Sequence, residues 1–382
     1  MKCFFVRASY SFINLPLRIF SWILFSRLKK NSIIKRILIF RTGELGDNIC
    51  AIPAINNIRL NYTNAHIFLL YPVKNRESIS FESLLNNEIV DEFVDYSQIR
   101  IWKLIRFLRA KKIDLFIEMP QEITTFRRET RNLIFAKLIG CKYAFGFQID
   151  THKFLRKFQE LCLSPPNEVD RLLNHSSSNG ISIIDKTYPI NFKKSEIDIV
   201  EDKFFQFSHK KQSTIIAVAP GSKLPLKRWP EENFFKLIQQ LLLKDFKVVL
   251  IGGEGEKYLC EALSKKFGKN ILNLSGILSP IQSIYAIKKC NILISNDSAA
   301  MHMASITKTP IVALFSSWRF ANKWFPDNPF QIVLRKNIHC SLCFNDSCMK
   351  NICMEKISVS EVQTSVENLL ESFKDKNYGK ER

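Results

Sequence analysis

Apolar residues in this chain come in short runs that stop abruptly at glycine, serine or a carboxylate. "RILIF" (36–40), "HIFLLY" (66–71), "DEFVDY" (91–96) and "DLFIEM" (114–119) are rich in β-branched and aromatic residues. They are close to continuous rather than alternating, which is the pattern of strands buried on both faces, as in parallel sheets. Helically spaced stretches lie between them, including "SQIRIWKLIRFLRAKK" (97–112). The pattern restarts at "STIIAVAPGS" (213–222) and recurs in "FKVVLIGGEGE" (246–256) and "CNILISNDS" (290–298). Two such series predict two α/β domains, with working loops at the carboxyl ends of the strands and a cleft between the domains. Their expected limits are 35–205 and 206–355. A helix and tail follow at 356–382, opened by a capping box of Ser358 and Glu361.

Residues 1–34 stand outside this pattern. "SFINLPLRIFSWILFSRLKK" (11–30) has a broad apolar face, with Ser11, Asn14, Arg18 and Ser21 forming a narrow polar stripe at helical spacing. Arg18 interrupts the apolar stretch too early for a spanning helix, which needs about 20 apolar residues. There is no small-residue cleavage site of a signal peptide. The segment reads as a helix lying on anionic lipid, the competing reading being a helix packed on the protein body.

Charge strengthens the first reading. No acid precedes Glu44, eight of the first 36 residues are basic, and the net charge is +20 over 382 residues. A chain this basic favours an anionic partner: nucleic acid, an acidic membrane surface or a phosphorylated ligand. Abundant Phe, Ile, Lys and Asn point to a composition bias that accounts for part of the basicity. The 46% hydrophobic content supplies two cores and excludes a disordered chain. Of ten cysteines, Cys3, Cys50, Cys141, Cys162, Cys260 and Cys290 are scattered and read as free thiols, while four crowd into "HCSLCFNDSCMKNIC". The mixture suits a reducing compartment.

Candidate chemistry sits where strands end. In "RTGELGDNICAIP" (41–53), Gly43 and Gly46 bracket a short loop that carries Asp47, and Pro53 follows. In "APGSKLPLKRWPEENF" (219–234), Pro220, Gly221 and Ser222 turn the chain and Lys223, Lys227 and Arg228 follow, a loop suited to a diphosphate. In "ISNDSAAMHMAS" (294–305), Asn296, Asp297 and Ser298 make the turn, and a helix starting near Ala299 points free N–H groups at any anion there; His302 lies one turn in. Alone, Asp297 also reads as a helix cap and His302 as a satisfied helix histidine. "LIGGEGEKYL" (250–259) adds Glu254 and Glu256, carboxylates able to hold ribose hydroxyls. Cys340, Cys343, Cys348 and Cys353 have spacing compatible with one tetrahedral thiolate site, hence a structural zinc, with reduced thiols or disulfides as the other readings.

Taken together, "GELGDNICAIP", "PGSKLPLKRWPEENF", "NDSAAMHMAS…TPIVALF" and the cysteine block closely resemble the bacterial heptosyltransferases, glycosyltransferase family nine, in order and approximate spacing over residues 35–372. Members often carry glycine where Ala299 stands, and the 120–210 region matches no motif. The resemblance implies an α/β GT-B architecture, two Rossmann-like domains with parallel sheets facing a central cleft. Donor nucleotide would lie in the C-terminal domain and acceptor in the N-terminal one. It implies inverting, metal-independent transfer of a heptose-like sugar from ADP-heptose to a lipopolysaccharide core. Asp47 would be the base, Lys227 would contact the donor phosphates, and Asp297, Ser298 and Ala299 would contact donor sugar and diphosphate, with His302 close by. Ser222, Glu254 and Glu256 complete the expected donor contacts, and Arg127 and Arg128 of "TFRRETR" are the expected acceptor contacts. No cofactor is expected to be required for catalysis.

An inverting displacement explains a carboxylate at a strand tip: the attacking hydroxyl must lose its proton, and Asp47 would take it. The basic N-terminus fits an anionic, lipid-linked acceptor and a cytoplasmic enzyme peripheral to the inner face of the membrane. A nucleotide-sugar epimerase is the second reading. A zinc-containing nucleic-acid-binding protein is the third; it leaves three strand-end loops unexplained, and no nucleic-acid partner is expected.

Overall fold

The computed structural model describes residues 2–28, 32–73, 81–152, 162, 165–207 and 213–378, and the chain divides into two compact units, residues 1–191 and 192–382. In the first, β1 (Arg36–Arg41), β2 (His66–Tyr71), β3 (Glu92–Asp95), β4 (Leu115–Met119) and β6 (Tyr143–Phe145) form a parallel sheet in the order β3-β2-β1-β4-β6. A two-stranded ladder joins β5 (Ile123–Thr124) to β7 (Thr151–His152). All four strands read from the apolar runs are present, and Ile37, Leu38 and Ile39 of β1 are fully buried, as a central parallel strand requires.

Strand order dictates where helices go. From β1 the chain steps one way to β2, then returns past β1 to β4 and β6. Right-handed crossovers therefore place α2 (Leu45–Asn61) on one face and α3 (Ile101–Ala110) and α4 (Phe126–Leu138) on the other. The packing agrees. α5 (Glu168–Ser178) lies on α2. Leu104 and Leu108 of α3 and Leu133 and Ala136 of α4 share a core with Leu38, Phe40, Phe68 and Phe116 of the sheet.

The N-terminal segment is helical, α1 (Lys2–Leu24), and it packs on the protein body against α4. Of the polar stripe, Asn14 makes the contact while Ser11 and Arg18 stay exposed. Asn14 is buried and bridges Ile149 in both directions, donating from Nδ2 to its carbonyl at 3.0 Å and accepting its N–H at Oδ1 at 2.8 Å. Leu17 is buried beside it, Phe25 enters the sheet core, and Lys137 Nζ donates to the Leu24 carbonyl at 2.8 Å at the helix end. Much of the apolar surface of the helix points away from the body, with Phe12 71%, Trp22 62% and Ile23 65% exposed. The basic end at Lys29 and Lys30 lies outside the described residues. Among the described residues no helix is long and apolar enough to cross a membrane.

The second unit begins before α6 (Lys194–Phe207), ahead of the expected boundary at 205. The reason is contact: Glu201 accepts from Tyr285 Oη at 2.7 Å and from Lys289 Nζ at 2.9 Å, which ties α6 to α9 (Pro280–Lys288). Its parallel sheet runs β10-β9-β8-β11-β12-β13, from β8 (Ile215–Ala219), β9 (Lys247–Leu250), β10 (Ile271–Asn273), β11 (Ile292–Asn296), β12 (Ile311–Phe315) and β13 (Gln331–Arg335). α7 (Glu231–Leu243), α8 (Lys257–Phe267) and the C-terminal α11 (Val359–Tyr378) close one face of this sheet, where Trp229, Phe234, Leu237, Val362 and Val366 share a core. The box at the start of α11 forms as read, with the Ser358 N–H donating to Glu361 at 2.9 Å and the Glu361 N–H to Ser358 Oγ at 3.3 Å. Each unit thus has the Rossmann order, with a switch point beside its first strand.

Of the scattered cysteines, Cys50, Cys141, Cys260 and Cys290 are buried free thiols. Cys162 departs from the expectation: it is disulfide-bonded.

Candidate active site

The candidate residues gather at the two switch points, one set in each unit. In the first unit Asp47 lies in the first turn of α2 rather than at the tip of a loop. Its carboxylate accepts the Glu44 N–H at 3.0 Å and closes a capping box. Pro53, expected to start or kink this helix, does not start it and sits in its interior; Asn57 Nδ2 donates to the Pro53 carbonyl at 2.8 Å. Gly43 is needed for space. A Cβ there would lie 2.7 Å from Asp47 Cβ and 3.0 Å from Asn48 Oδ1, so any side chain would push Asp47 away. The carboxylate is partly buried, and burial raises its pKa; the Arg41 charge and the Glu44 N–H oppose the rise.

Arg41, the last residue of β1, is a participant that strand-counting missed. It is fully buried, donates to the carbonyls of Pro120 at 3.0 Å and Asp47 at 3.0 Å, and lies 3.7 Å from Glu168. Burial pulls its pKa down, and Glu168 and Asp47 hold it charged. Arg171 extends the network with two 2.7 Å bonds to Glu168 and an ion pair to Asp150. Burial works against its charge too, but Glu168 and Asp150 more than compensate and its pKa rises. Beneath lie two further buried carboxyls. Glu118 accepts from Asn132 at 3.1 Å and Glu129 from Thr124 at 2.6 Å. Burial is the main cause that raises both, Glu129 to about 7. The signal for Glu118 was available: an acid inside the apolar run "DLFIEM".

The two expected acceptor contacts separate. Arg128 is half-buried, donates to Gln121 at 2.9 Å and reaches Thr42 Oγ1, at the same strand tip as Asp47. Arg127 is exposed on the outer side of α4.

In the second unit the loops after β8 and β11 are laced together. Asn296 Nδ2 donates to the Pro220 carbonyl at 2.7 Å, Asn296 Oδ1 accepts the Trp229 N–H at 3.1 Å, and Ser222 Oγ donates to the Asp297 carbonyl at 2.9 Å. Lys227 Nζ forms an ion pair with Asp297 at 2.8 Å. Trp229, 1% exposed, anchors the loop by donating from Nε1 to the Ile357 carbonyl at 2.9 Å. Ser298 is the N-cap of α10 (Ala299–Thr307), its Oγ beside Ser295 Oγ at 3.2 Å, so the Ala299 end presents backbone N–H groups at the strand tip. His302 is buried one turn in, its ring edge-on to Trp324. Glu256 accepts the Gly253 N–H at 2.8 Å and packs on the β8 loop, where a Cβ on Gly221 would come within 2.0 Å of Glu256 Cγ. Glu254 is more exposed and 3.6 Å from Lys257.

Cys340, Cys343, Cys348 and Cys353 are free thiols, and among the described residues no group of three or more His, Cys, Asp or Glu is arranged to hold a metal ion. Their segment is held by hydrogen bonds instead: Leu342 N–H to Ser317 at 2.7 Å, Phe344 N–H to Trp318 at 2.9 Å and Asn351 to the Arg228 carbonyl at 2.6 Å. Burial, with Cys340 and Cys348 nearby, raises the Cys353 thiol.

Residues 101–353, which span the donor loops and the cysteine block, match the pattern of glycosyltransferase family 9 (heptosyltransferase). The chain belongs to this family. It is a glycosyltransferase of the two-domain GT-B kind. It is 32% identical over 115 residues to lipopolysaccharide heptosyltransferase 2 of Escherichia coli, a match that covers 29% of the chain and 33%, about a third, of that relative. Against lipooligosaccharide heptosyltransferase 2 of Campylobacter jejuni it is 23% identical over 350 residues, 88% of the chain and 99% of the relative. The solved structure of E. coli ADP-heptose lps heptosyltransferase II superposes with a TM-score of 0.64 at 19% identity, covering 89% of the chain and all of that structure; at that identity the likeness speaks to the fold.

Proposed function

We propose that the chain is an inverting, metal-independent heptosyltransferase that moves heptose from ADP-heptose to the core of a lipid-linked surface glycan, at the inner face of the cytoplasmic membrane. One observation carries the reading: in each Rossmann-like unit the candidate groups stand at the switch point, Asp47 after β1 and the Lys227–Asp297 pair between the β8 and β11 loops. The name of the E. coli relative, an ADP-heptose transferase, supports the donor.

In this reading the acceptor hydroxyl oxygen attacks the anomeric carbon while its proton passes to Asp47. A carboxylate with a raised pKa is a stronger base than an ordinary one. Arg41 fixes the turn that carries it by holding the Asp47 carbonyl. As the new bond forms, the bond to the diphosphate breaks and charge builds on the leaving oxygen. Lys227 and the N-terminus of α10 supply the opposing positive charge. Asp297 keeps Lys227 in place until the diphosphate arrives. Glu256 and Glu254 serve the ribose hydroxyls, Ser222, Ser298 and His302 line the donor loops, and Arg128 meets the acceptor near Asp47. A structural zinc on the four cysteines is no part of the proposal.

The test is turnover of ADP-heptose with a heptose-deficient lipopolysaccharide acceptor, followed by NMR of the product. The expected result is one new glycosidic bond of configuration opposite to the donor's, formed only when acceptor is present. Retained configuration, or an isomerised nucleotide sugar formed without acceptor, would overturn it; the latter is the epimerase outcome.

A further inference from the structure

One side of the first unit carries three helices, α1, α3 and α4, over a single core. Their outer faces share a character. On α1, Phe12, Leu15, Ile19, Phe20, Trp22 and Ile23 are exposed; on α3, Ile101, Trp102 and Phe107; on α4, Phe126, Ile134 and Leu138. Basic residues are interleaved with them, among them Arg18, Lys103, Arg106, Arg109, Arg131 and Lys137, all exposed. The three helices hold a single acid, Glu129, and it is buried.

The orientation of α1 is the decisive feature. A surface helix of a water-soluble protein turns its apolar face inward. Here only Asn14, clamped to Ile149, and Leu17 are fully buried among the described side chains of the helix, while six large apolar ones look out. Aqueous surroundings give no reason for that choice; an apolar medium outside does. A cavity of about 420 Å³ opens beside it, between the end of α1 and the edge strand β6, with Arg18, Trp22 and Arg27 on one wall and Phe145 on the other. The Arg27 guanidinium lies 5.8 Å from the Trp22 ring centre, the pairing of aromatic body and cationic head that suits the headgroup level of a bilayer.

We infer that this three-helix face docks on an anionic lipid bilayer: the apolar side chains of α1 and the tryptophans enter the interface, the arginines and lysines meet lipid phosphates, and the cavity beside β6 seats a headgroup. The inference stands on the first unit alone and does not depend on the transfer chemistry. The bilayer fits better than a second copy of the chain, because two such faces would set positive charge against positive charge.

The full chain is titrated with vesicles of phosphatidylcholine alone and of phosphatidylcholine with phosphatidylglycerol. Binding is expected to be at least about tenfold tighter to the anionic vesicles and to weaken, without vanishing, in high salt. The paired change Trp22→Gln and Trp102→Gln removes only exposed aromatic surface and should weaken it about tenfold or more. The pair Arg18→Glu and Arg27→Glu should weaken it by about fivefold or more per charge. ADP affinity, read on the same proteins, should not change in either variant, which shows that they are folded. Equal binding to both vesicle types, no binding to either, or variants that bind like the wild type would each overturn the inference. So would a solution dimer that the Trp pair dissolves, since that would make the face a contact between copies. Failure here would leave the transfer chemistry standing, because its readout is the glycosidic bond formed and its configuration.

Discussion

Asp47 has two tasks on one carboxylate: it closes the helix cap at Glu44 and stands as the proton acceptor. Asp47→Asn separates them, because the amide oxygen can still accept the Glu44 N–H but the amide takes no proton at neutral pH. The expected outcome is a fall in kcat of about 10²–10⁴ with ADP affinity unchanged; steady-state kinetics decide, and a loss of only a few-fold would reduce Asp47 to a cap. The pH profile gives a second handle. The base works deprotonated and burial raises its pKa, so kcat/KM should fall on the acid side at a pH above the ordinary carboxylate range, near 4. The acid limb should be missing from whatever rate Asp47→Asn retains. Glu129 makes a different prediction, about stability. Its carboxyl is raised from 4.5 to about 7, so the folded chain holds a proton that the unfolded chain releases across that window. The contribution is therefore full below pH 4.5 and lost as pH rises to about 7. Glu129→Gln keeps the Thr124 hydrogen bond and cannot ionise. Melting temperatures at pH 5 and pH 8 should lie closer together than in the wild type, and an unchanged gap would show that Glu129 is ionised in the fold.

Among elements, the loops after β8 and β11 act as one piece, because Asn296, Ser222 and the Lys227–Asp297 pair each span both. Loss of Lys227 should therefore hurt twice, removing a cation from the diphosphate and leaving the Asp297 carboxylate facing it. Lys227→Ala is expected to weaken ADP binding by about 1.5–3 kcal/mol, the range for a hydrogen bond to a charged group. Adding Asp297→Asn should recover part of that loss, and calorimetric titration of the four proteins closes the cycle. Strict additivity would show that the two side chains act independently on the nucleotide. The same elements show how far local pattern carries. β1, β4, β8 and β11 lie where continuous apolar runs put them, and α10 starts at Ala299 as the small residues after Asp297 implied. Pro53 was half read: it does not start α2 but lies inside it, where a proline removes one i→i−4 hydrogen bond and the packed surroundings hold the helix together.

For the molecule as a whole, positive charge at the leaving group comes from Lys227 and a helix terminus, so a chelator should leave turnover unchanged. EDTA dialysis followed by the standard assay tests this. Activity lost and then restored by Mg²⁺ or Mn²⁺ would mean that a cation, rather than Lys227, neutralises the leaving diphosphate. Activity lost and restored only by Zn²⁺ would return attention to the four cysteines. In the fold those thiols are not gathered into a ligand set, and the segment is tied through backbone hydrogen bonds to the end of β12. Ligand spacing was legible in "HCSLCFNDSCMKNIC", but spacing limits only reach, and the path of the chain decides which thiols meet.

The sequence by itself determined what is local: which runs are strands, since burial on both faces demands unbroken apolar stretches, and which turns carry Asp47, Lys227 and Asp297, since working loops follow such strands. Order and spacing of those turns were enough to show the family. Tertiary structure decided what depends on contacts between distant residues. Arg41, Glu168, Arg171 and Asp150 are spread over 130 residues and become one buried network only through β1, β4 and α5. Asn14 and Ile149 are 135 positions apart, and their pairing fixes the side of α1 that carries Asn14 and Leu17 against the protein. Helical periodicity can say that a helix has two unlike faces. Which side meets the protein is set by the partner it finds, and here a buried backbone needing two hydrogen bonds took the asparagine with Leu17 and left much of the apolar surface outside.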